Sequence, residues 1–252
     1  MGRSEKIIEV CVDSVESAIV AQSAGAHRVE FCDNLTEGGT TPSYGQLKIA
    51  REFLNIKLYV IIRPRGGNFL YSDIEFNIMR EDIRKCGEIG CDGVVIGILC
   101  ADGSIDKKRT TELTDIAKSY SMGVTFHRAF DRCCNLFAGL EDVIETGCER
   151  ILTSGGKDNS LAGADVIRRL VESADGRITI MPGAGLTPKN IAEVAQLTGA
   201  GEFHGTFRSL FEGNMEHINR DMAGEENENR NYRTDAEKVR AVLRNCLNTI
   251  NG

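Results

Sequence analysis

Two short runs in the sequence, Glu9-Val10-Cys11 and Glu30-Phe31-Cys32, carry a carboxylate and a thiol two residues apart. Both runs are β-rich, and side chains on a strand alternate between its faces. Glu9 and Cys11 therefore point one way while Val10 and Val12 point the other, and Glu30 and Cys32 oppose Val29 and Phe31 in the same manner. On neighbouring strands the two runs bring two acids and two thiols together. Apolar packing does not account for such a group, because carboxylates are almost never buried without partners. The residue types leave three options: a metal site, an acid–base site, or a buried charge network without chemistry.

The elements that must position these residues form a regular series. Strand-like runs lie at 7–12, 28–32, 57–63, 93–99, 123–128, 150–154, 178–182 and 202–206. Helical patterns fall between them at about 14–24, 43–54, 73–89, 107–121, 135–146, 160–173 and 188–198, with a last one at 235–248. Eight β/α alternations predict an α/β chain folded as one (β/α)8 TIM barrel spanning residues 1–252. An open doubly wound sheet is the competitor, but no Gly-x-Gly-x-x-Gly opens the first helix. A weak repeat supports the barrel: Gly25, Gly90, Gly147 and Gly199 each end a helix before an even-numbered strand, as left-handed caps would. Asp13 with Glu16, and Ser72 with Glu75, have capping-box spacing. The polar segment 212–234 interrupts the pattern before the closing helix and reads as a loop insertion, over a barrel mouth or at a contact surface.

Parity then gives the interior of the barrel. The inward polar set is Glu9, Cys11, Glu30, Cys32, Arg63, His127, Ser154 and His204, with Glu202 lower on the last strand. In such barrels chemistry sits at the C-terminal ends of the strands. Gly97, at the end of the fourth strand, suggests room for a ligand. Each residue has a duller role available. A strand histidine is more often a hydrogen-bonded core residue than a catalyst, and Arg63 could serve only to neutralise Glu9 and Glu30. Convergence of two histidines, two carboxylates and an arginine at one end favours a binding or active site. Arg63 and Arg65, in a glycine-containing loop, suit carboxylate or phosphate oxygens. Ser154 and the backbone at Gly183 and Gly185 complete an expected anion-binding set, since late barrel loops often hold phosphate.

Bulk properties narrow the partners. The chain has 252 residues, 41% of them hydrophobic, and a net charge of −7, which argues against nucleic-acid binding. No apolar run approaches the roughly 18–20 residues needed to span a membrane, and the N-terminus lacks a signal-peptide pattern, so a cytoplasmic protein is expected. The nine cysteines include no CxxC pair, which argues against a zinc ribbon or disulfide framework. Barrels commonly pair, so a homo-oligomer, a dimer, is the expected assembly, with 212–234 a candidate contact.

Several longer motifs carry a family resemblance. Glu9 to Ala18, Arg63-Pro64-Arg65-Gly66-Gly67 with Phe69 to Asp73, Thr125 to Asp131, Glu149 to Gly156, and Glu202-Phe203-His204 resemble the CutC family in type and order. The similarity runs from about residue 7 to 208. It departs where Ala184 interrupts a glycine run and in the tail after Arg208. The resemblance implies a cytoplasmic barrel associated with copper homeostasis, with Cu(I) held by the residues corresponding to Cys11 and Cys32. Soft thiolates do select Cu(I). The residues by themselves keep a second reading open: a lyase, isomerase or hydrolase acting on a small anionic or phosphorylated metabolite. There Glu9 or Glu30 is the base, His127 or His204 its acid partner, and Arg63 or Arg65 the anion clamp.

Overall fold

A computed structural model describes residues 6–217 and 230–248. The strands are β1 (Ile7–Val12), β2 (Arg28–Phe31), β3 (Lys57–Ile61), β4 (Gly93–Ile96), β5 (Gly123–Phe126), β6 (Arg150–Thr153), β7 (Thr179–Pro182) and β8 (Glu202–Gly205). Between them lie α1 (Val15–Ser23), α2 (Tyr44–Phe53), α3 (Asp73–Ile89), α4 (Lys107–Ser119), α5 (Leu136–Glu145), α6 (Ala164–Ala174) and α7 (Ile191–Thr198). The eight strands are parallel and hydrogen-bonded in the order β7-β6-β5-β4-β3-β2-β1-β8, and β7 packs beside β8 to bring the barrel nearly to closure. The expected (β/α)8 architecture is present.

Alternation divides the side chains as the period of two requires. Val10, Val12, Val29, Phe31, Val60, Ile62, Val94, Ile96 and Phe126 belong to the large cluster between sheet and helices. Cys11, Cys32 and Ile61 form a separate small cluster inside the barrel. The outer cluster carries the folding energy; a fully buried Phe31 or Phe126 contributes roughly 1.5–3 kcal/mol.

Helix signals hold with one change. Gly25, Gly90, Gly147 and Gly199 all have positive φ, as the left-handed caps require. Ser72 and Glu75 form a reciprocal capping box at the start of α3, and Ser43 with Gln46 forms another at α2. At α1, however, the cap is Ser14, whose side chain accepts from Ser17 N–H, and not Asp13. Ser72→Ala is expected to cost about 1 kcal/mol, as loss of a helix cap typically does. A urea midpoint identical to that of the parent would refute it.

The polar segment at 212–234 is not simply a loop. Its flanks form an antiparallel hairpin, β9 (Arg208–Glu212) with β10 (Arg230–Thr234), and residues 218–229 lie outside the described set. The hairpin docks on α1 through Thr234 N–H, which donates to Ser17 Oγ at 3.2 Å, and leads into α8 (Ala236–Asn248). Among the described residues no helix is long and apolar enough to cross a membrane.

Candidate functional site

The barrel interior has two tiers. The lower is a charge network that parity had only partly located. Arg28 bonds Glu9 and, at 2.7 Å, Glu202. Arg150 holds Glu202 at 2.6 Å and Glu149 at 2.8 Å, and the Tyr59 hydroxyl donates to Glu149 at 2.6 Å. Both guanidinium groups lie over the Tyr59 ring, 5.1 and 5.5 Å from its centroid. Arg28 and Arg150 escaped the inward list, although each stands two residues before an inward position, Glu30 and Leu152. Arg28, not Arg63, neutralises Glu9.

Glu9, expected as a candidate base, is a poor proton acceptor in this network. Burial pushes its carboxyl up, but Arg28, His204 and Arg150 outweigh burial and hold it well below the ordinary carboxylate range. It is 1% exposed and is not among the residues lining the chamber above it. Its second oxygen lies 2.7 Å from His204 Nδ1, which orients the imidazole.

The upper tier is a chamber of about 110 Å³ at the C-terminal end of the strands, lined by Cys11, Glu30, Cys32, Arg63, His127 and His204 among others. Cys11 lies opposite Glu30 in the register and Cys32 lies two residues further along its strand, yet the two sulfurs meet at 3.6 Å. His204 Nε2 faces Glu30 at 3.6 Å. Ligand atoms of Cys11, Glu30 and His204 all lie within 4.8 Å of one another.

These groups share protons. The hydrogen bond with Cys32, against burial and aided by His204, brings the Cys11 thiol down to about 6. Donation to Cys11, then burial, pushes Cys32 well above the ordinary thiol range. Burial lowers His204, but its bonds to Cys11 and Glu9 and the nearby carboxylates raise it well above an ordinary histidine. Burial, followed by the Cys11 charge, raises Glu30 well above an ordinary glutamate. These shifts favour a Cys11 thiolate against a His204 imidazolium, with Cys32 and Glu30 holding their protons more tightly than free groups. The alkylation rate of Cys11 in metal-free protein is expected to rise with a midpoint near pH 6. In His204→Gln the midpoint should move up; a parent midpoint at the ordinary thiol value would sink this assignment.

His127 stands on the chamber wall in a different state. Its Nδ1 accepts from Ala129 N–H at 3.1 Å, and burial, then the Arg63 charge, lower it to about 3. It is neutral at physiological pH and can donate a hydrogen bond from Nε2. The space at Gly97 is filled by this ring: a Cβ there would lie 2.3 Å from it. Gly97→Ala should therefore displace His127, readable as a shifted imidazole NMR signal; an unmoved signal would refute the packing.

The expected anion-binding set is dispersed. Arg63 donates to the carbonyls of Glu37 and Gly39, each at 2.7 Å, and of Gly67 at 2.8 Å, pinning two loops. Arg65 is taken up by Glu75 at 2.5 Å and by Asn68 and Leu70 carbonyls. Ser154 is buried between Asp131, Arg128 and the Lys157 carbonyl. Gly183 N–H donates to the Thr153 carbonyl, and Gly185 packs on Asn159. Arg65, Ser154, Gly183 and Gly185 line neither the chamber nor the vestibule above it. That vestibule, about 670 Å³, is instead flanked by Arg63, Arg128, Arg132, Phe69, Leu99 and Glu37. Arg128 and Arg132 follow strand β5 in the Thr125–Asp131 motif region, and neither was singled out from sequence.

Fold and site together define a (β/α)8 barrel whose C-terminal mouth holds a paired-thiol, imidazole and carboxylate chamber beneath an arginine-flanked vestibule. The CutC family model matches residues 6–209, and the chain belongs to the CutC family. A family protein CutC of Chromobacterium violaceum is 53% identical over 204 residues, covering 81% of this chain and 82% of that one. The human protein named copper homeostasis protein cutC homolog is 46% identical over 217 residues, 86% of this chain and 79% of that one. The crystal structure of CutC from Streptococcus agalactiae superposes with a TM-score of 0.76 at 37% identity, over 80% of this chain and 98% of that one. Phosphoribosylanthranilate isomerase of Thermotoga maritima, at 11% identity and a TM-score of 0.59 over 96% of this chain and 99% of that one, shares the fold alone.

Proposed function

We propose that this protein binds Cu(I) in the upper chamber through Cys11 and Cys32, with His204 as a third ligand. The observation that carries this reading is the 3.6 Å approach of the two sulfurs from adjacent strands. A soft monovalent ion favours two thiolates and an imidazole in a site closed to water. His204 supports the reading further. With Nδ1 anchored to Glu9, its Nε2 is turned into the chamber beside Glu30 and Cys11, the carboxylate–histidine arrangement that orients metal-binding imidazoles elsewhere. The names carried by relatives, copper homeostasis among them, point the same way. Glu30, a hard oxygen donor that holds its proton more tightly than usual, is a poor partner for Cu(I); it would matter more to Zn(II), which accepts mixed sulfur, nitrogen and oxygen sets.

Loading would displace the Cys32 proton and the His204 Nε2 proton, so affinity should rise with pH. The test is anaerobic titration of Cu(I) under a competing chelator, into the parent and the Cys11→Ala/Cys32→Ala variant, with Zn(II) in parallel. Tight one-to-one Cu(I) binding by the parent alone supports the reading. Equal weak binding by both chains, or a preference for Zn(II), overturns it.

A further inference from the structure

The copper reading uses the lower wall of the chamber and leaves its upper wall without a purpose. His127 is 5% exposed, and its Nδ1 accepts a backbone N–H, so the ring proton must be on Nε2. That Nε2–H is buried and closes no hydrogen bond. An unpaired buried donor carries the full desolvation cost of the group. A phenylalanine would pack against Phe69 equally well without that cost, since the two rings meet at 5.0 Å.

Arg63 beside it has a matching deficit. It is 4% exposed, its three bonded partners are neutral carbonyls, and no ion pair to it occurs among the described residues. Its Nε closes no hydrogen bond either. A buried cation without a counter-charge is costly unless an anion arrives to meet it. Phe69 ties the two together, with the Arg63 guanidinium carbon 5.1 Å from the ring that His127 also touches. Outward of them Arg132 and Arg128, the latter paired with Asp131 at 2.8 Å, line the vestibule together with Glu37.

We infer that the upper wall is a subsite for the carboxylate of a small organic acid. One oxygen accepts from His127 Nε2–H, the charge is met by Arg63, and the rest of the molecule extends toward Arg128 and Arg132. The donor set favours a carboxylate. One imidazole N–H and one guanidinium match a single carboxylate, whereas phosphate brings more oxygens and often two charges to the same pair. No proton leaves His127 in this role; it donates a hydrogen bond and keeps its tautomer. The subsite uses residues separate from the proposed Cu(I) ligands, so the two readings stand or fall independently.

The test uses the full, metal-free chain with malonate and inorganic phosphate as probes. Calorimetry reads affinity, and NMR of protein carrying ¹⁵N-labelled histidine reads the His127 ring. The expected result is saturable one-site malonate binding, weaker or absent phosphate binding, and a downfield shift of the His127 Nε2–H signal as malonate is added. His127→Phe should weaken malonate by at least about tenfold, the weight of one hydrogen bond to a charged group. No saturable binding in the millimolar range would overturn the assignment. So would tighter binding of phosphate, an unmoved His127 signal in the parent chain, or undiminished affinity in His127→Phe. The NMR readout needs no substitution and so does not depend on the variant folding.

Discussion

Arg28→Ala is expected to destabilise the protein by about 3–5 kcal/mol, the usual cost of leaving a buried charge without its partner. Arg28 is 5% exposed and bridges Glu9 and Glu202, so its removal strands carboxylates on β1 and β8 at once. Arg150 still holds Glu202, but Glu9 keeps only His204 in direct contact, with the Arg150 charge further off. The effect should depend on pH with a definite sign. In the parent, Glu9 titrates well below an ordinary glutamate, so its stabilising contribution is complete above the unfolded value near 4.5 and is lost only as pH falls through the low folded value. In Arg28→Ala, Glu9 takes up its proton at a higher pH. The deficit is therefore largest at neutral pH and narrows in acid. Glu9→Gln combined with Arg28→Met should recover part of the loss, because removing both members of a pair avoids the orphaned charge. Urea unfolding at pH 7 and pH 4 reads all three outcomes. A neutral-pH loss under about 1 kcal/mol would mean that the network is solvated and not structural.

The largest binding effect should fall on the thiols. Cys11→Ala and Cys32→Ala are each expected to weaken Cu(I) by at least about a hundredfold, and the double variant to abolish tight binding, since loss of a ligand should cost no less than the 10–100-fold typical of an outer-shell partner. The two singles should differ in their pH dependence. With its partner sulfur gone, Cys11 still has His204 to favour its thiolate, whereas Cys32 keeps burial and Glu30, which disfavour it. A protein left with Cys11 alone should therefore bind Cu(I) with a shallower pH slope than one left with Cys32 alone. Chelator-competition titrations at pH 6, 7 and 8 compare the slopes. Equal slopes would show that His204 and Glu30 do not distinguish the two thiols. Retained tight binding in either single variant would remove that cysteine from the ligand set. Stability should change little, because either alanine leaves only a small space beside Ile61.

The sequence by itself determined the architecture and the facing of the site. Eight alternations of period-two and helical runs, punctuated by Gly25, Gly90, Gly147 and Gly199, admit few folds other than a barrel. Strict alternation along each strand then put Cys11, Glu30, Cys32, His127 and His204 inside, and all five line the chamber. Direction was legible because it depends on local geometry alone. Partnership was not, because it depends on height in the barrel and on the loops. Nothing local says that Arg28 lies level with Glu9, or that sulfurs two residues apart in register close to 3.6 Å. Nor does it say that Arg63 would meet loop carbonyls, leaving Arg28 and Arg150 to hold the acids. Ser154 and the Gly183 N–H looked available in sequence but are taken by neighbours from other elements, and Gly185 packs on Asn159 away from the chamber lining. Only tertiary structure decides which hydrogen-bonding groups remain unmatched, because every donor takes the nearest acceptor the fold supplies. The repeated Glu-x-Cys marked the place; the folded barrel separated its parts, with Glu9 supporting from below and the two thiols facing the chamber.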